Sequence, residues 1–137
     1  MISDAALAQI LKEAKTIAVV GISSNPARAS NGVSAWLKRQ GFHIIPVNPT
    51  ETEVFGQKVH ASLAEVTEAV DIVNIFRRSD QVLPIVQDAI AKQPRLIFMQ
   101  EGVINEEAAK LAEASGIPVV MNRCILKELG RLVPFGQ

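Results

Sequence analysis

The sequence has one cysteine, Cys124, no tyrosine, and a single tryptophan in 137 residues. A lone cysteine excludes an internal disulfide and fits a reducing compartment. Five phenylalanines complete the aromatic set. That is too little ring surface for a platform on which single-stranded nucleic acid stacks. Charge of one sign is missing too, since fourteen Lys and Arg balance fourteen Asp and Glu. A neutral chain has no general attraction for DNA, RNA or an anionic membrane. No apolar run approaches the ~20 residues that cross a bilayer. The start, MISDAALAQILKEAK, is interrupted by Asp4, Lys12 and Glu13, so it does not read as a secretory signal. These absences predict a cytoplasmic chain of one domain, residues 1–137, with no nucleic acid or membrane as partner. They leave monomer and homodimer equally open.

What is present is a rhythm. Hydrophobic residues make up 48% of the chain. Five short runs rich in Val and Ile recur: TIAVV (16–20), HIIPVN (43–48), DIVNIF (71–76), RLIFMQ (95–100) and IPVVMN (117–122). They are too short for helices and nearly continuous in apolarity, as strands covered on both faces are. Amphipathic patterns lie between them. Ser3 opens a first helix as N-cap, and Val33, Trp36 and Leu37 form the stripe of a second, over about 31–40, closed by Gly41. Ser62 and Glu65 have capping-box spacing. Pro84 places a third helix start near Leu83, after a lead-in turn from Ser79 to Val82. Asn105 and Gly116 bracket a fourth helix, and a last one runs from about Cys124 to Leu129. Alternating strands and helices predict an α/β fold: a three-layer, Rossmann-like open sheet of about five parallel strands, helices on both faces. The expected order is 3-2-1-4-5, with a ligand crevice at the strand exits between strands 1 and 4.

The first exit, GISSNPARAS, leads into a helix N-terminus, whose free N–H groups and dipole attract phosphate. Gly21 permits a tight turn, Ser23, Ser24, Ser30 and Asn31 offer neutral donors, and Arg28 offers charge. The same polar residues would also serve simply to cap the helix. The loop is not a P-loop, because Pro26 stands where the second glycine belongs and no Gly-Lys follows. Nor is it a dinucleotide fingerprint, because positions 23 and 26 are Ser and Pro. The second exit, Asn48-Pro49, lacks the carboxylate that NAD sites place there, although Glu51 and Glu53 lie just beyond. The third exit holds Arg77 and Arg78, of which one is expected to face a ligand. The fourth carries Gln100, Glu101 and Gly102, and the fifth Asn122, Arg123 and Cys124.

Taken in order, TIAVVGISSNPARAS, GFHIIPVNP, FGQKVHASLAEV, VDIVNIFRRSD, FMQEGVINEEAAKLAEASGIPVVMNRC and KELGRL resemble the small bacterial CoA-binding proteins. Their domain is similar to the N-terminal CoA-binding domain of the succinyl-CoA synthetase alpha subunit. The resemblance covers nearly the whole chain. It implies coenzyme A or an acyl-CoA as ligand, with its pyrophosphate on the loop of Gly21, Ile22, Ser23, Ser24, Arg28 and Ser30. Asn48 and Pro49 would lie by the adenosine. Phe76, Arg77, Ser79 and Val82 would flank the adenine and the 3′-phosphate. Gln100 and Gly102 would lie nearer the pantetheine. The chain departs from the family's pattern at Ala29 and Asn122, where the family often has proline and aspartate. His43 and His60 belong to no recognisable triad, and one cysteine with two scattered histidines makes no metal site. The expectation is therefore binding without catalysis. The alternatives are a CoA-dependent transferase working through Cys124, or an NAD(P)-linked oxidoreductase.

Overall fold

A computed structural model describes residues 2–133. Its main sheet contains β1 (Thr16–Val20), β2 (His43–Val47), β5 (Ile72–Ile75), β6 (Leu96–Met99) and β7 (Val119–Val120). All neighbouring pairs are parallel, in the order β2-β1-β5-β6-β7. Parallel strands need crossovers, and these bury both faces of the sheet. Leu7, Leu37, Ile125 and Leu129 pack on one face, from α1 (Asp4–Glu13), α2 (Ala29–Arg39) and α5 (Ile125–Leu132). Val82, Val86, Ala108 and Ala112 pack on the other, from α3 (Val82–Lys92) and α4 (Glu106–Ala114). The α/β class, the five parallel strands and the two helical layers are as the sequence predicts. Among the described residues no helix is long and apolar enough to cross a membrane.

The order of the strands differs from the expected one. Counting only the five long runs, it is 2-1-3-4-5, so the third run (β5) pairs with β1 and the second (β2) lies at the edge. The chain after β2 gives the physical reason. It forms a small antiparallel ribbon, β3 (Glu53–Val54) and β4 (Gln57–Lys58), turned by Phe55 and Gly56, both at positive φ. The chain then passes back along the outer side of β2. There His60 N–H donates to the Pro46 carbonyl at 3.0 Å, and Asn48 N–H donates to the His60 carbonyl at 2.9 Å. Pro46 has no N–H of its own, which suits a strand edge and not a strand interior. With that side taken, the next strand docks on the free side of β1. The winding reverses between β1 and β5, and this is where an open sheet of this order forms its crevice.

Local signals mostly act as the residue types dictate. Ser3 Oγ accepts the Ala6 N–H at 3.1 Å, and Asn105 Oδ1 accepts the Ala108 N–H at 2.9 Å. Helix α3 begins at Val82, after a 3-10 turn over Ser79–Gln81. Pro84 is then its third residue, where a helix N–H has no internal partner to lose. The Ser62–Glu65 pair does not form a full capping box. Ser62 makes no side-chain cap, while Glu65 accepts the N–H of Ala61 at 2.9 Å, and only a 3-10 turn over Leu63–Glu65 forms.

Asn105 does more than cap α4. Its Nδ2 donates to the Ser79 carbonyl at 2.9 Å, and the Ile104 N–H donates to Ser79 Oγ at 2.9 Å. Exits three and four are thereby tied together. Asn105→Ala should lower stability by about 2 kcal/mol, roughly twice the loss from Ser3→Ala, which removes a cap alone. Denaturant unfolding of the two variants checks this, and equal losses would show that the Ser79 link contributes nothing.

Candidate functional site

The strand exits surround a cavity of about 620 Å³, lined from four loops. Gly21, Ser23, Arg28, Ala29 and Ser30 come from the first exit, and Asn48, Thr50 and Glu51 from the second. Phe76, Arg77 and Arg78 come from the third, and Glu101, Gly102 and Val103 from the fourth. A second cavity of about 400 Å³ shares Arg77 with it, and Pro49, Leu63 and Ile85 give it apolar walls. Asp80 and Asp88 also line this second space.

Gly21 sits where the winding reverses. Its N–H donates to the Val47 carbonyl at 2.8 Å, and the Phe76 N–H donates to the Val20 carbonyl at 2.8 Å. Its φ is +90°, and a Cβ there would stand 2.1 Å from the Phe76 carbonyl oxygen. Only glycine lets exits one and three approach this closely.

Beyond Gly21 the loop is held by its own polar groups. Ser30 Oγ accepts the Ser23 N–H at 3.0 Å, Ser23 Oγ accepts the Asn25 N–H at 3.0 Å, and Asn25 Oδ1 accepts the Ala27 N–H at 2.9 Å. Asn31 Nδ2 donates to the Ser23 carbonyl at 2.9 Å. The serines and asparagines therefore fix the shape of the loop. Donors without a partner remain at the helix start. Among the described residues, the N–H groups of Ala29 and Ser30 have no hydrogen-bond acceptor, and Arg28 caps the helix without a side-chain bond. Both residues line the cavity, which places the N-terminal end of α2 in its wall.

Asn48 is buried and works as a bracket. Its Nδ2 donates to the Ile22 carbonyl at 2.9 Å, and its Oδ1 accepts from Thr50 N–H and Thr50 Oγ1 at 3.0 and 2.9 Å. This side-chain turn carries the chain to Glu51, whose Oε2 accepts the Ser24 N–H at 2.6 Å. At exit three, Arg77 is half-buried and lines both cavities, while Arg78 is exposed with Nε 3.5 Å from Asp80. At exit four, Gly102 N–H donates to Asn122 Oδ1 at 2.8 Å. Asn122 itself is left-handed, with φ of 61°, a conformation asparagine tolerates better than most residues. Lys127 lies 3.0 Å from Glu101, and that hydrogen bond holds its ammonium above its ordinary pKa.

Of the residues that the sequence singles out, Gly21, Ser23, Arg28, Ser30, Asn48, Phe76, Arg77 and Gly102 line the larger cavity, and Pro49 lines the smaller. The others lie elsewhere. Ile22 and Val82 are fully buried in the two cores. Gln100 is buried and donates from Nε2 to Asn74 Oδ1 at 2.6 Å. Ser79 is occupied with the exit-four loop, and Ser24 offers its N–H to Glu51. Thr50 and Val103 carry no signal in the sequence that marks them as lining residues. Glu51 does carry one, since an Asn-Pro-Thr turn ahead of a carboxylate reaches back toward the preceding loop.

Residues 15–130 match the model of a family described as a CoA binding domain. An uncharacterized protein of Bacillus subtilis, YneT, is 41% identical over 123 residues, which span 90% of this chain and 91% of that one. A solved protein of Thermus thermophilus, cell-free ID.343, superposes with a TM-score of 0.91 at 37% identity, over 96% of this chain and 99% of the other. The dinucleotide forming acetyl-coenzyme A synthetase 1 of Ca. Korarchaeum cryptofilum, solved with phosphate and ADP, superposes with a TM-score of 0.71 at 27% identity. That match covers 79% of this chain and 26% of the synthetase.

Proposed function

This chain belongs to the CoA binding domain family, and we infer that it holds coenzyme A or an acyl-CoA across the exits of β1, β2, β5 and β6. The observation that carries the reading is the pair of orphan N–H groups at Ala29 and Ser30. Their residues line one cavity with Arg28 and Arg77, neither of which has a carboxylate partner among the described residues. Such a donor set suits a pyrophosphate, with backbone N–H groups holding the oxygens and guanidinium groups balancing the charge. The volumes suit a cofactor of this size, since ligand cavities commonly measure about 300–1,000 Å³. The apolar cavity beyond Arg77 would take the adenine between Pro49 and Ile85, with Arg77 turned to the 3′-phosphate. The pantetheine would leave past Gly102.

The role is binding without a chemical step. Cys124 is buried and lines neither cavity. His43 begins β2, at the far end of the sheet from the exits, and His60 lies along the outer edge of that strand. Among the described residues no cysteine or histidine lines either cavity. An NAD mode finds no free acceptor in Asn48, whose Oδ1 already accepts from Thr50 N–H and Oγ1.

Calorimetric titration with CoA, acetyl-CoA, NAD and NADP tests the assignment. CoA and acetyl-CoA should bind, and both dinucleotides should bind at least about tenfold more weakly. Tight NAD binding without a response to CoA would overturn it. Arg28→Ala should weaken CoA by roughly fivefold, an effect that fades with salt as it does for exposed charges. Unchanged affinity would take Arg28 out of the grip.

A further inference from the structure

Five charged side chains line the larger cavity: Arg28, Arg77, Arg78, Glu51 and Glu101. Two have an opposite charge beside them outside the cavity, Arg78 with Asp80 and Glu101 with Lys127. Two cations and one anion are left. Among the described residues Glu51 meets no cation, and its carboxylate takes the Ser24 N–H at 2.6 Å, in the loop that leads to Arg28 and the start of α2. Its place is built by the fold, because Asn48 fastens the turn before it to Ile22 and Thr50.

We propose that Glu51 sets the affinity and charge selectivity of this site, as an internal competitor that holds a loop N–H with its own carboxylate and opposes the field of Arg28 and Arg77. The proposal rests on the reading that the cavity takes a phosphoanhydride. A carboxylate and a phosphate oxygen ask the same thing of a backbone N–H. A ligand phosphate on the Ala29 and Ser30 N–H groups would share the cavity with Glu51 and meet its repulsion, and one that reached the Ser24 N–H would have to displace it. Either way the opposition grows with each negative charge on the ligand, and an uncharged ligand part escapes it. The carboxylate would thus keep the loop from closing on any passing anion and make tight binding depend on contacts along the rest of the ligand.

Two variants separate charge from shape. Glu51→Gln keeps an oxygen that can accept the Ser24 N–H, so its thermal unfolding should match the wild type. Glu51→Ala frees the N–H altogether. Both should bind CoA and inorganic pyrophosphate about tenfold more tightly at low ionic strength, with the gain shrinking as salt rises. Dephospho-CoA, with less charge, should gain less than CoA. Unchanged affinity overturns the proposal. So does weaker binding, which would mean that Glu51 accepts a ligand hydroxyl. If CoA fails to bind the wild type while pyrophosphate binds the variants more tightly, the proposal stands and the CoA assignment falls. If CoA binds wild type and variants alike, the assignment stands and the proposal falls. If neither ligand binds any of the three proteins, both fall.

Discussion

Gly21→Ala should abolish useful CoA binding, with an affinity loss on the order of a hundredfold, and should lower stability by at least about 2 kcal/mol. Two independent costs add at this position. An alanine at φ +90° is strained whatever surrounds it. Its Cβ would also stand 2.1 Å from the Phe76 carbonyl oxygen and 2.9 Å from the Phe76 carbonyl carbon. Backbone cannot swing aside as a flexible side chain can, so exits one and three must separate. That movement would carry the start of α2 away from Arg77, and the two halves of the grip would no longer meet one anion. Gly41→Ala provides the control. Gly41 is also left-handed, at φ +102°, but nothing lies within 4 Å of where its Cβ would stand. It should lose stability and keep CoA affinity to within about twofold, since strain alone is local. Thermal unfolding together with calorimetry reads both quantities. If Gly21→Ala binds CoA as the wild type does, the close approach of β1 and β5 has no part in the site.

Arg77→Ala should weaken CoA by roughly ten- to a hundredfold, the usual worth of a charge-assisted hydrogen bond in a partly enclosed place. Arg78→Ala should change affinity by less than about threefold, because an exposed arginine already paired with Asp80 has little to give. The difference between adjacent residues of one type follows from their setting. Arg77 is half-buried at the seam of two cavities, whereas Arg78 is exposed and lines only the larger one, beside a carboxylate. Dephospho-CoA refines the test. If Arg77 serves the 3′-phosphate, the loss on Arg77→Ala should shrink severalfold when that phosphate is missing from the ligand. Arg77→Lys should recover only part of the loss, because an ammonium cannot make the two parallel bonds of a guanidinium. Equal effects at Arg77 and Arg78 would mean that only the general positive potential of the exit matters.

The sequence made the layers legible because their signals are local. Each Val- and Ile-rich run is a strand, and Ser3, Asn105, Gly41 and Gly116 end or begin helices as their chemistry requires. The order of the strands was legible too, but in one residue. Pro46 lies inside an apolar run, and a proline there asks for an edge strand. The expected order 3-2-1-4-5 placed that run between two neighbours and overlooked the missing N–H. With β2 at the edge, the crevice lies between β1 and β5, and Gly21 meets Phe76 there. Within the site, the family motifs locate stretches of chain and say little about where side chains point. Ile22 follows Gly21 and turns into the core. Gln100 lies at an exit and yet turns back to Asn74. Those directions depend on the pleat and on a partner 26 residues away in sequence, which no local pattern contains.

The residue that hides the strand order also limits how these molecules can meet. An edge strand usually presents a row of free donors and acceptors to which another chain can add. On the outer side of β2, Pro46 has nothing to donate, its carbonyl is taken by His60, and Asn48 N–H is taken as well. At the opposite margin β7 is only two residues long, too short to template an intruding strand. The C-terminal half of the β2 edge and the short β7 therefore offer little to an added strand. Along these stretches of the described residues, strand-by-strand addition of a neighbour is obstructed by a proline and by the returning chain at His60.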